Sequence, residues 1–202
     1  MLTTQELYRK SIHIIMGLII IFSYYLDIIG PLTMFLAIIV GILLSLISKH
    51  TNLPIISQFL DQFERPAQRH KFPGRGMLFF FIGSLLVMKL FDKDIALASI
   101  AILTFGDSIS HIIGEKYGEI KNIFNGKSKK LFEGTLAGIF AGFLAALPFI
   151  AWQEAFLASF CAMIAEVIQI DLNQNTLDDD IIVPLVAGTT IYLLRRYILL
   201  IL

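Results

Sequence analysis

Apolar segments recur along the whole chain, separated by polar connections, and nothing constrains the fold more. They run over about 11–28, 31–47, 76–91, 95–113, 134–151, 155–170 and 181–202. A helix needs roughly 20 apolar residues to cross a bilayer. In lipid it satisfies all its backbone groups internally. The pattern therefore predicts an all-α, polytopic transmembrane bundle of about seven spans, with the shorter segments re-entrant or only partly spanning. Composition agrees, because 56% of the 202 residues are hydrophobic and only 16% charged, whereas a soluble domain carries about 25% charge. One domain, 1–202, is sufficient. The first segment follows Arg9 and Lys10 as the core of a signal peptide would, but no small-x-small cleavage pattern follows it and the next segment starts at once. It reads as a retained helix.

Formal net charge is zero, which gives no global basic signal for nucleic acid. The lone Cys161 excludes an intramolecular disulfide and argues against a cysteine metal site. Charge is nevertheless unevenly placed. With seven spans, one side collects Arg9, Lys10, Lys49, Arg65, Arg69, Lys71, Arg75, Lys116, Lys121, Lys127, Lys129 and Lys130, and the other only Lys89, Lys93, Arg195 and Arg196. Twelve against four places the N-terminus in the cytoplasm. Arg195 and Arg196 follow a short apolar run, so they either snorkel or face the bundle interior. In the connection 48–75, Ile55, Ile56, Phe59, Leu60 and Phe63 at helical spacing oppose Asp61, Gln62 and Glu64, the pattern of an interfacial amphipathic helix.

Polar groups inside apolar segments carry the chemistry. Asp107, Ser108, Ser110 and His111 come late in the fourth segment, Glu166 late in the sixth, and Asp178, Asp179 and Asp180 just before the seventh. Arg9, Lys10 and His13 open the first. In the orientation above, all lie toward the cytoplasmic end. Charges in a membrane are costly and face a cavity or a partner, so one shared polar site near the inner interface is expected. Within 106–118, Asp107, Ser110, His111 and Gly114 share a helical face, beside Gly106. A carboxylate with small neighbours admits a metal ion or phosphate; equally, a buried Asp bonded to a Ser with glycines for packing fits the same residues. Lys127, Lys129 and Lys130 precede a new helix opening at Glu133, Gly134 and Thr135. They suit a polyphosphate at a helix N-terminus, or a loop that only sets topology. Gly126-Lys127-Ser128 is not a P-loop, because position 121 is Lys and no strand precedes it. Gly134, Gly138 and Gly142 form a small-residue stripe suited to helix packing. Clustered carboxylates at 178–180 are hard ligands suited to magnesium, or a solvated cap of the next helix. Glu166 either completes a metal shell or pairs with an arginine such as Arg196. Arg69, His70, Lys71 and Arg75 around Pro73-Gly74 form a further basic patch suited to phosphate or anionic headgroups.

Four segments in order resemble the CTP-dependent polyprenol kinase family, which includes dolichol kinase, phytol kinase and the CTP-dependent diacylglycerol kinases. They are Arg9-Lys10-Ser11-x-His13; Gly106-Asp107-Ser108 with Gly114 and Gly118; Lys129-Lys130-Leu131-Phe132-Glu133-Gly134-Thr135; and Asp178-Asp179-Asp180 before Pro184-Leu185. The chain departs from the pattern at Leu131, where Ser or Thr is usual, and at Asp180, where Asn is frequent. The resemblance implies transfer of the γ-phosphate of CTP to the hydroxyl of a membrane lipid alcohol, such as a polyprenol, dolichol or diacylglycerol. It implies Mg2+ on Asp107 and on Asp178 or Asp179. Nucleotide would be held by Gly106, Ser108, Ser110, Gly114, Lys129, Lys130, Glu133, Gly134, Thr135, Arg9, Lys10 and His13, and Glu166 or Asp107 would act on the lipid hydroxyl. It implies a multi-pass protein of a prokaryotic plasma membrane, or of the endoplasmic reticulum in a eukaryote, with its site toward the cytoplasm. A phosphatidate cytidylyltransferase-like CDP-lipid synthase would share this setting, but residues 121–127 lack the Lys-Asp and Pro-Gly-His-Gly-Gly pattern of such enzymes. An ion-coupled transporter would place its polar groups at the midplane or on both sides, not at one end.

Overall fold

The computed structural model describes residues 4–50, 73–120, 131–168, 171–172, 175–176 and 178–198. Among them are seven helices, one for each apolar segment: α1 (Thr4–Tyr25), α2 (Pro31–His50), α3 (Arg75–Leu90), α4 (Lys93–Tyr117), α5 (Phe132–Ala146), α6 (Trp152–Ile168) and α7 (Asp179–Ile198). The all-α expectation holds except for a two-rung antiparallel ladder between Asp171–Leu172 and Asn175–Thr176, in a stretch read from sequence as plain loop. The amphipathic helix expected over 55–64 lies outside the described residues; of the connection 48–75 only 48–50, in α2, and 73–75 are described.

Among the described residues three helices are long and apolar enough to cross a membrane, over Thr4–Tyr25, Pro31–Ser48 and Lys93–Tyr117; α5 is a shorter apolar helix. The first two are peripheral, with 28% and 17% of their apolar windows buried inside the protein, against 78% for α4. Helix α4 is thus the central pillar, and α1, α3, α5, α6 and α7 all pack on it, while α2 packs on α3. In lipid, burying apolar surface between helices gives no net hydrophobic gain, so close backbone approach between small residues drives association. The core shows this. Ala96, Ala98 and Ala101 of α4 and Ala155, Ala158 and Ala162 of α6 are fully buried. Gly134 and Gly138 of α5 lie against Gly114, Ser110 and Gly106 of α4, where an added Cβ would strike backbone.

Neighbouring helices alternate in direction, and ion pairs mark both ends. At one end, Arg195 of α7 donates from Nε and Nη2 to the two oxygens of Glu154 on α6, at 2.8 and 3.0 Å, and from Nη1 to Asp94 of α4 at 2.6 Å. Lys93 bonds Asp27 at 2.6 Å there. Arg195 therefore faces other helices, while Arg196 stays exposed beside the Tyr192 hydroxyl. Glu166 and Arg196 sit late in antiparallel helices, at opposite ends, so the pairing suggested for them does not form.

Two local irregularities shape the other end. Within α4, residues Ile102–Asp107 form a π-helical turn that ends on Asp107. Such turns are rare and concentrate at functional sites. In α7, Pro184 has no N–H to give the carbonyl of Asp180. Gly83 of α3 packs against that carbonyl so closely that a side chain there would collide with it.

Candidate functional site

Residues from four helices meet at the end of the bundle where α1, α3, α5 and α7 begin. Lys10 and His13 lie on one face of α1 at i and i+3, and Gly17, four further on, abuts Thr104 of the π turn. That contact draws α1 onto α4. Lys10 is buried and donates to Asp107 Oδ2 at 2.5 Å. Both side chains are 6% exposed, so the pair is screened from solvent and needs each partner. Asp180, buried in the first turn of α7, lies with its Oδ1 3.9 Å from His13 Nδ1. The ligand-capable atoms of His13, Asp107 and Asp180 all lie within 4.8 Å of one another. Phe80 of α3 closes the back of this cluster, edge-on to the His13 ring at 5.4 Å.

This arrangement fits a divalent cation. Two buried carboxylates side by side repel one another, and Lys10 bonds one of them, Asp107. Oxygen ligands suit magnesium, with water completing its shell.

The aspartate triplet divides by its place on the helix start. Asp178 precedes α7 and accepts at Oδ1 from the Asp180 N–H at 3.3 Å, while its carbonyl accepts from Ile181. Its other oxygen faces Arg75 Nε at 3.4 Å, and Arg75 lies over the Phe79 ring. Asp178 thus works as a cap and anchors α3. Asp179 is half-buried. Asp180 is the member of the triplet that joins Asp107 and His13, whereas the resemblance implied Asp178 or Asp179 as the metal ligand.

Glu166 is 1% exposed and accepts from the Ser110 hydroxyl at 3.3 Å. It thereby joins α6 to α4 one turn beyond Asp107. Ser108 Oγ is buried with no hydrogen-bond partner among the described residues. Gly106, Gly114 and Gly134 are placed at the α4–α5 and α4–α6 contacts. Glu133 accepts from the N–H groups of Glu119 and Ile120, both at 3.1 Å, and Phe132 N–H donates to the Ile120 carbonyl at 3.0 Å. These bonds pinch together the two ends of the 121–130 connection. Thr135 donates to the Leu131 carbonyl at 3.3 Å. Arg9 pairs with Glu6 at 2.7 Å. Lys129 and Lys130 lie outside the described residues.

Comparison with known proteins gives two relatives. The chain is 36% identical over 129 residues to an uncharacterized protein of Methanocaldococcus jannaschii, covering 61% of this chain and 63% of that one. It is 27% identical over 128 residues to CTP-dependent diacylglycerol kinase 1 of Saccharomyces cerevisiae, covering 59% of this chain and 42% of the yeast protein. The chain thus spans less than two thirds of either relative. No family model matches it, and no solved structure matches it significantly.

Proposed function

We propose that this protein is an integral membrane lipid kinase, using CTP to phosphorylate the hydroxyl of a lipid alcohol on the cytoplasmic side of a seven-span bundle. The observation that carries this reading is the buried Lys10–Asp107 pair beside Asp180 and His13. Three separate polar segments converge there, at one end of an otherwise apolar bundle. The likeness to a CTP-dependent diacylglycerol kinase supports lipid kinase chemistry and CTP as donor. The predominance of lysine and arginine on the same side supports a cytoplasmic N-terminus.

Phosphoryl transfer asks a protein mainly for positioning and charge stabilisation. Asp107 and Asp180 would hold Mg2+, which when bound neutralises phosphate oxygens. Lys10 holds Asp107 in place. Lys129 and Lys130 would neutralise the remaining phosphate charge. The lipid hydroxyl oxygen bonds to the γ-phosphorus, the bond from that phosphorus to the β-bridging oxygen breaks, and CDP leaves. The hydroxyl proton passes to a carboxylate; Glu166, held by Ser110 one turn from Asp107, is the candidate acceptor. Purified protein in detergent, given labelled CTP or ATP and a panel of lipid alcohols, tests the proposal. A lipid monophosphate with CDP is the expected product. A CDP-lipid with pyrophosphate from a phosphorylated lipid would establish the synthase instead, and no nucleotide turnover with any acceptor would refute both.

A further inference from the structure

A second cluster lies one turn outward along the same α1–α4 seam. Glu6 precedes Lys10 by four residues and His111 follows Asp107 by four, so the antiparallel register that joins Lys10 to Asp107 also sets Glu6 beside His111. Glu115, four residues beyond His111, lies on the same face of α4. The ligand-capable atoms of Glu6, His111 and Glu115 all lie within 4.8 Å of one another. Three ligands evenly placed around one ion with bonds of about 2.1 Å stand about 3.6 Å apart, so side-chain movements of up to about an ångström bring all three into range. The side chains of Glu6 and His111 are only 14% and 18% exposed. His111 Nδ1 is shielded from solvent, makes no hydrogen bond among the described residues, and stands 3.5 Å from Glu115 Oε1. Lys116, next in sequence, turns away over the Tyr117 ring at 4.9 Å, and Arg9 pairs with Glu6 at 2.7 Å.

We propose that Glu6, His111 and Glu115 form a second divalent-cation site, separate from the Asp107–Asp180 cluster and independent of the kinase reading. One imidazole and two carboxylates on two helices suit a borderline ion such as Mn2+ or Zn2+. Two ligands four apart on one helix with a third from elsewhere is a recurrent metal-binding geometry. A bound ion would tie the first turns of α1 to the last turns of α4, at the mouth of the proposed active site.

Mn2+ alone, titrated into the full chain in detergent without nucleotide or lipid and followed by the loss of its free electron-spin-resonance signal, tests this. The wild type should bind two Mn2+ per chain, and His111→Gln and Glu6→Gln should each weaken one site at least tenfold while Asp180→Asn weakens the other. Unchanged binding in both His111→Gln and Glu6→Gln would overturn the proposal. If only one ion binds and Asp180→Asn alone removes it, the second site is refuted while the first stands; if His111→Gln alone removes it, the second site stands and the magnesium assignment to Asp180 falls. Glu115→His replaces one ligand by another and guards against misfolded glutamine variants. It should retain the site and shift preference from Mn2+ toward Zn2+, and loss of the site in this folded variant would also count against the assignment.

Discussion

Breaking the Lys10–Asp107 pair should reveal strong energetic coupling between α1 and α4. At 2.5 Å and an effective dielectric of 20, Coulomb attraction between unit charges is about 6–7 kcal/mol. Much of it is offset by the cost of stripping water from both groups. The partners are not equivalent. Lys10→Met takes the buried lysine from Asp107 and leaves that carboxylate beside Asp180, so it should cost about 3–5 kcal/mol. Asp107→Asn leaves Lys10 near Asp180, which lies within the same 4.8 Å cluster, and should cost about 1–3 kcal/mol. The double variant should cost little more than Asp107→Asn alone, because the methionine then faces a neutral amide. The resulting coupling is about 2–4 kcal/mol. Equilibrium unfolding in mixed detergent micelles, followed by far-UV circular dichroism, measures all four corners of the cycle. Single-variant effects that add to within about 0.5 kcal/mol, as independent sites do, would refute a direct buried pair.

On the proposed kinase reading, Asp107→Asn should also lower turnover of CTP by at least about a hundredfold, since charge stabilisation at a transferring phosphoryl group is worth several kcal/mol; near-normal rates in the folded variant would make Asp107 purely structural. Gly134→Ala should destabilise by about 1–3 kcal/mol, because its Cβ would meet the Ser110 carbonyl and the Gly114 backbone. Gly30→Ala, which meets nothing within 4 Å, should stay within about 0.5 kcal/mol in the same unfolding assay. For orientation, a cysteine at Lys127 should label from the cytoplasmic side and one at Asp92 from outside, in a background where Cys161 is replaced by Ala; labelling of both from one side would sink the seven-span arrangement.

Hydropathy alone located the seven helices among the described residues, since each apolar run became one. The ends were harder to place, because helices continue past their apolar cores into polar residues. Helix α1 begins at Thr4 and so carries Glu6, Arg9 and Lys10 in helical register, where the apolar run begins near 11. Convergence of Lys10, His13, Asp107 and the 178–180 triplet at one end was legible from the alternation of segments. Which aspartate of the triplet enters the cluster was not. Each residue rotates a helix by about 100°, so a one-residue difference in where α7 starts decides between Asp178, Asp179 and Asp180. The possible pairing of Glu166 with Arg196 was decidable from topology, since late positions in consecutive antiparallel helices lie at opposite ends. The freed Asp180 carbonyl had a sequence signal in Pro184. The π turn had none, because Ile102–Asp107 reads as ordinary apolar helix.

That π turn makes the identity of the residues at the polar end a matter of phase. A π turn holds one residue more than the α turn it replaces, so removing a single residue from Ile102–Gly106 would leave a regular helix in which the residues beyond keep their phase. Asp107, Ser110 and Gly114 would still face their partners on α1, α6 and α5. Loss of one residue from regular helix beyond the turn, between Asp107 and Gly114, would instead swing everything after it by about 100° around the axis of α4. A homologue with α4 one residue shorter within the π turn would keep both the motif and the site.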